Sequence, residues 1–105
     1  MPVERARAPR RARREVVWSP LARARLQEIR AYVAKDKPVA AERLAIRIVA
    51  VIEALRNHPY LGHAGTESGV RELIVGGTPY VMLYRVRGKR VTIQTIWHVA
   101  QREKR

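Results

Sequence analysis

His98 closes the last β-patterned run of the chain, Arg85 lies in the run before it, Arg87 and Arg90 flank the turn between them, and Arg71 stands one run earlier. These residues have the types that could do chemistry together. In-line cleavage of RNA needs a base for the 2′-hydroxyl, an acid for the leaving oxygen, and cations against the charge that grows on the phosphate. Histidine ordinarily titrates close to neutrality and can carry the protons. Arginine offers a planar fork of donors suited to phosphate. Arg71, Arg85 and His98 are therefore the candidate catalytic set, and Arg71, Arg85, Arg87 and Arg90 the candidate nucleic-acid contacts. The plainer reading is a histidine that ends a strand for structural reasons and arginines that meet only solvent.

Other chemistries find no support. There is no Gly-rich phosphate loop with its Lys and Ser/Thr, no metal-ligand cluster and no spaced carboxylate pair. His58 and His63 are five apart in a breaker-rich stretch without a third ligand, so neither metal nor cofactor is expected. The absence of Cys excludes a disulfide framework, a thiolate zinc site and a thiol nucleophile. Ser19 is explained as a helix cap and Ser68 as a loop residue.

The 105 residues suffice for one domain, and 47% hydrophobic content is enough to build its core. A net charge of +13, from 22 basic against 9 acidic side chains, draws the protein to phosphate-rich or acidic partners. Residues 1–14 hold six Arg against one Glu and form an Arg-rich extension expected to be disordered; the remaining 15–105 keep a net +8 and form the single folded domain. No apolar run approaches the ~20 residues that span a bilayer. The early arginines are followed by Trp18-Ser19-Pro20 rather than the apolar stretch of a secretory signal. A soluble cytoplasmic domain without a membrane partner is expected.

Glu15-Val16-Val17-Trp18 reads as a strand, and Ser19-Pro20 as cap and first residue of a helix. Ala22, Leu26, Ile29 and Val33 continue at helical spacing to about Ala34. Asp36-Lys37-Pro38 restarts a second helix, whose stripe of Ala41, Leu44, Ile48, Val51, Ile52 and Leu55 runs to about His58. So short a link implies an antiparallel helical hairpin. Ile46 falls on the polar side, between Glu42 and Glu53, where a partner could cover it. After the loop His58–Gly69 the period becomes two: Val70–Val75, Tyr80–Val86 and Arg90–His98 read as strands. Gly88 at the first central position suits a two-residue type II′ turn.

That turn sets a register. With Arg87 opposite Arg90, Val86 faces Val91, Tyr84 faces Ile93, Met82 faces Thr95 and Tyr80 faces Trp97, all on the face that the helices cover. The other face then carries Arg85, Leu83, Val81, Thr92, Gln94, Ile96 and His98. Slippage by one residue would exchange the faces. The first hairpin is open: a three-residue and a four-residue connection place Arg71 on opposite faces.

The expected fold is α+β, in the order β-α-α-β-β-β, a helical hairpin packed on a mostly antiparallel four-stranded sheet. From Val16 to Gln101 the chain resembles the RelE/ParE superfamily of toxins of bacterial type II toxin–antitoxin (plasmid stabilisation) systems. The matching pieces are Val17-Trp18-Ser19-Pro20-Leu21-Ala22, the helix with Leu26, Ile29 and Tyr32-Val33, and Ala40-Ala41. They continue through Leu55-Arg56-Asn57-His58-Pro59-Tyr60-Leu61-Gly62-His63 and Arg71-Glu72-Leu73 to Pro79–Arg85 and Val91–His98. The resemblance implies a growth-inhibiting toxin neutralised by a cognate antitoxin, often acidic where it wraps the toxin; Ile46, Leu83 and Ile96 are the expected antitoxin contacts.

Two target classes share this fold. RelE-like members cleave mRNA in the ribosome, and on that reading Arg71 matches the phosphate-binding arginine and His98 lies near a catalytic histidine. ParE-like members are not nucleases and poison DNA gyrase. No Tyr follows His98, the lysine-rich RelE set is absent, and the 58–63 loop and the strand from Pro79 to Arg85 look more ParE-like. Poisoning of DNA gyrase is therefore the leading expectation, with ribosome-dependent endoribonuclease as the alternative. A non-toxic basic nucleic-acid-binding module remains a third.

Overall fold

The computed structural model describes residues 13–65 and 67–103. Strand β1 (Glu15–Trp18) leads into helix α1 (Pro20–Ala34), followed by α2 (Pro38–Ala54), β2 (His63–Ala64), β3 (Val70–Ile74), β4 (Tyr80–Arg87), β5 (Arg90–His98) and the short α3 (Val99–Glu103). The sheet has the order β1-β5-β4-β3-β2. Its pairs are antiparallel except for β1 with β5. The fold is the expected α+β arrangement with one additional strand: β2 lies inside the segment read as irregular loop. Two residues are too few to give a period-two signal, and β2 exists only because His63 and Ala64 find Glu72 and Arg71 as partners.

The α1 start follows from local chemistry. Ser19 is extended, its Oγ accepts the Ala22 N–H at 2.9 Å, and Pro20 opens the helix. The α2 start has Pro38 but no side-chain cap from Lys37. The two helices are bridged on their outer surface by Arg30 and Glu42. Their inner surfaces supply Ala22, Ile48 and Ile52, joined by Leu55 just beyond α2, to a core completed by Val75, Tyr80, Met82, Tyr84, Val91, Ile93 and Ile96 from the sheet.

Gly88 has φ +55 and Lys89 is not left-handed, as a type II′ turn requires. Next to that turn the expected register holds: Arg87 opposes Arg90, Val86 opposes Val91 and Tyr84 opposes Ile93. Beyond it the ladder jumps. Leu83 opposes Thr95, Met82 opposes Ile96 and Tyr80 opposes His98, leaving Gln94 unpaired as a β-bulge. The extra residue reverses the alternation of β5. Ile96, expected on the uncovered face, is fully buried in the core, and His98 follows it onto the helix side. Thr95 and Trp97, expected under the helices, take the opposite side with Leu83 and Val81. The first hairpin has the four-residue connection, with Val75 N–H donating to Tyr80 O at 2.9 Å, so Arg71 opposes Tyr84 and shares its face.

Ser19 holds the bulge in place. Its hydroxyl donates to the Gln94 carbonyl at 2.7 Å, and its backbone N–H donates to Ile93 O at 3.0 Å. One side chain thus satisfies a helix N-terminus and a carbonyl that the bulge takes out of the ladder. Ser19→Ala removes both hydrogen bonds, and a loss of about 1–2 kcal/mol in unfolding free energy is expected from urea denaturation.

Candidate functional site

The sheet has two chemically different ends. At the β4–β5 turn, Arg85 and Arg87 stand on one face of β4 opposite Thr92 and Arg90 of β5, two rungs of the same ladder. With Glu15, Lys89 and Gln94 they line an open groove of about 650 Å³. Arg85 is half-buried and fixed: its guanidinium donates to Ser68 O at 3.2 Å and lies 4.0 Å from the Glu67 carboxylate. Gly69, at φ +81, lets the 67–69 turn approach that closely, since a Cβ there would sit 2.9 Å from the guanidinium. Arg90 pairs with Glu15 at 3.2 Å. Arg87 and Lys89 are exposed and make no ion pair with any described residue.

Arg71 lies close to this end on the other face of the sheet. Its guanidinium donates to Gly62 O at 2.6 Å and packs 4.9 Å from the centre of the Tyr60 ring. Gly62 N–H in turn donates to the Tyr84 hydroxyl at 2.8 Å. Arg71 and Tyr84 therefore clamp Gly62 from both sides and tie the 58–62 loop to the sheet. The approach is close, since a Cβ on Gly62 would lie 2.5 Å from Glu72 O. Burial pushes the Tyr84 phenol above its ordinary pKa, with the Gly62 N–H and the Arg71 charge acting in the opposite direction.

His98 stands at the far end of the sheet. It opposes Tyr80, five residues along β4 from Arg85, roughly 17 Å at the usual strand rise. Its ring meets Tyr80 edge to face at 5.4 Å. Nδ1 accepts the Ala100 N–H at 3.0 Å, while the His98 backbone N–H donates to the Gln101 side chain at 3.2 Å. This is the reciprocal arrangement of a capping box, and it makes His98 the N-cap of α3. His98 also borders a cavity of about 470 Å³ between α1 and the end of β5, shared with Tyr32, Tyr80 and Trp97.

The structure thus brings Arg85, Arg87 and Arg90 together but separates them from His98, and Arg71 faces away from all three. The sequence placed His98 on the face of Arg85 because it took the alternation of β5 as unbroken; the bulge reverses that face. Lys89 and Thr92 in the groove were not among the candidate residues; the register of the turn was the signal that could have found them. Of the expected partner contacts, Ile46 is 66% exposed on α2, Leu83 is half-buried on the sheet face away from the helices, and Ile96 is interior. Among the described residues no cluster of three or more His, Asp or Glu is arranged to hold a metal, and no helix is long and apolar enough to cross a membrane.

A helical hairpin on one face of a bulged, mostly antiparallel sheet with a basic hairpin end makes this a small α+β domain. Residues 16–103 match the model of the ParE toxin of type II toxin–antitoxin systems (parDE), and the chain belongs to that family. It is 38% identical over 90 residues to Y4kP of Sinorhizobium fredii, a protein bearing a toxin name, covering 86% of this chain and 93% of the relative. It is also 38% identical over 87 residues to toxin RelE2 of Caulobacter vibrioides, covering 83% and 97%. The fold is shared with a chain of the chromosomal ParDE system of P. aeruginosa, at TM-score 0.76 and 24% identity, covering 83% of this chain and 97% of that one.

Two outcomes follow from these contacts. His98→Ala removes the cap acceptor, and amide exchange at Ala100 should accelerate by about fivefold, the equivalent of ~1 kcal/mol; His98→Asn, also a good cap, should restore most of it. Tyr84→Phe leaves the buried Gly62 N–H without its acceptor and should cost about 1–3 kcal/mol in chemical denaturation. The sign of its pH dependence is fixed. A raised phenol pKa gives stability that is complete below the ordinary value of about 10 and lost as pH climbs through the folded value, so Tyr84→Phe should flatten the alkaline limb of the stability profile.

Proposed function

We propose that the chain arrests growth by ParE-like poisoning of DNA gyrase and is held inactive by a cognate antitoxin with an acidic toxin-binding segment. The observation that carries the gyrase reading is the position of His98. A ribonuclease needs its proton carriers within hydrogen-bond reach of the phosphate its cations hold. Here the candidate histidine caps a helix on the helix side of the sheet, roughly 17 Å along β4 from Arg85. The carboxylate that lines the basic groove, Glu15, is paired with Arg90. Cations without a poised acid or base suit binding better than in-line cleavage. Gyrase as target places the action in the cytoplasm.

An antitoxin has apolar surface to cover. Val39 and Ile46 are 65% and 66% exposed on the outward face of α2, and Val49 continues that stripe. Leu83 lies on the other side of the sheet, so a partner touching both must wrap the domain. The nuclease reading draws on one observation, the RelE2 name of the Caulobacter relative.

Inducible expression of the full chain in a bacterium tests the proposal. The expected result is growth arrest with an early DNA-damage response while translation continues. His98→Ala should keep that toxicity, and co-expression of an acidic partner encoded beside the gene should relieve it. Collapse of translation with cut mRNA, abolished by Arg85→Ala and His98→Ala, would overturn the gyrase reading in favour of an endoribonuclease. Harmless accumulation of folded protein would leave a basic nucleic-acid-binding module.

A further inference from the structure

We infer that the β4–β5 groove is a binding site for the backbone of duplex DNA, so that the toxin contacts DNA directly as well as its protein target. This deepens the gyrase reading and rests on it for its biological setting. The groove is lined by Arg85, Arg87, Lys89, Arg90, Thr92 and Gln94, with Glu15 at its edge. Arg85 is held rigidly by Ser68 and Glu67, and Glu15 takes up Arg90. Arg87 and Lys89 project from the turn without an ion-pair partner among the described residues. Thr92 and Gln94 add neutral hydrogen-bonding groups.

What the groove lacks identifies the occupant. None of its lining residues is apolar or aromatic. Protein partners are seated by buried aromatic or aliphatic anchors, and this molecule exposes such residues elsewhere, at Tyr32, Val39, Ile46 and Tyr60. Single strands are held by stacking bases on aromatic rings, which the groove does not offer. Cations with neutral donors and no stacking surface match the phosphates of a duplex, contacted without reading its bases.

Glu15 N–H donates to Lys89 O at 2.7 Å and Arg14 Nε to Gly88 O at 3.3 Å, so Arg14 and Glu15 lie against the tip of the hairpin, with Arg13 exposed beside them. The basic surface thus runs past the groove, as a long, uniformly charged polyanion requires.

The test is fluorescence anisotropy of the purified full-length protein with a labelled 25-base-pair DNA duplex of arbitrary sequence, without gyrase. Competitors are single-stranded DNA, an RNA duplex and polyglutamate. With about four phosphate contacts, affinity should fall on the order of 100-fold between 50 and 200 mM salt. The double variant Arg87→Glu/Lys89→Glu should bind at least about tenfold more weakly and show a lower salt slope. The neutral pair Arg87→Gln/Lys89→Gln, checked by circular dichroism, should show a smaller loss in the same direction. Unchanged binding in both double variants, a flat salt dependence, or tighter binding of single strands, RNA or polyglutamate would overturn the inference. Because gyrase is absent, translation arrest in cells would overturn the proposed target without touching this readout. Duplex binding lost in the variants while gyrase poisoning persists at full strength would remove only the role of DNA contact in toxicity.

Discussion

The extra residue in β5 decides which face each side chain of the second half of that strand takes. Gln94 leaves the ladder, its carbonyl is taken up by the Ser19 hydroxyl, and the alternation of β5 reverses from that point to its end. The reversal lets Ile93 and Ile96, three residues apart, both enter the core, where a regular strand would bury only one. It also sends His98 to the helix side with Tyr80, and Thr95 and Trp97 to the opposite face. A serine chosen by local chemistry to start α1 thereby also fixes the faces of a strand 75 residues later. Bulges bend strands and re-aim side chains, and this one takes the histidine off the face that carries Arg85, Arg87 and Arg90.

Much of the arginine content is committed to structure before any partner arrives. Arg71 anchors Gly62, Arg85 anchors the 67–69 turn, and Arg56 donates to the Arg14 carbonyl beside its own bridge to Glu53. Guanidinium groups suit this work because several donors in a fixed fork can satisfy loop carbonyls that no strand or helix reaches. Arg87 and Lys89 remain at the hairpin tip without an ion pair among the described residues, while the exposed apolar residues lie mainly on the helices and the loop. The molecule therefore presents chemically distinct surfaces, one cationic and one apolar.

Membership of the ParE family assigns the chain to the toxins of type II toxin–antitoxin systems. The target is a question of sites, since a fold by itself does not set activity. A constellation of His and Arg in sequence is compatible with either. It becomes discriminating only through distance and direction, and here the separation along β4 and the capping of α3 by His98 weigh against proton transfer at the basic groove.

The sequence by itself determined whatever depends on neighbours in the chain. Ser19-Pro20 and Lys37-Pro38 set the helix starts, the 3.6-residue stripes set their buried faces, and Gly88 set the type II′ turn with the register of its first four rungs. Those features follow from dihedral preference and periodicity, which act within a few residues. The tertiary structure decided the rest. The four-residue connection that gives Arg71 its face, the two-residue strand β2, and the bulge at Gln94 each depend on a partner remote in sequence. No local pattern distinguishes an inserted residue from a regular one, because a bulge is stable only where another segment, here Ser19, accepts the geometry it creates. For that reason Arg85, Arg87 and Arg90 could be grouped from the turn alone, and the true positions of Ile96 and His98 could not.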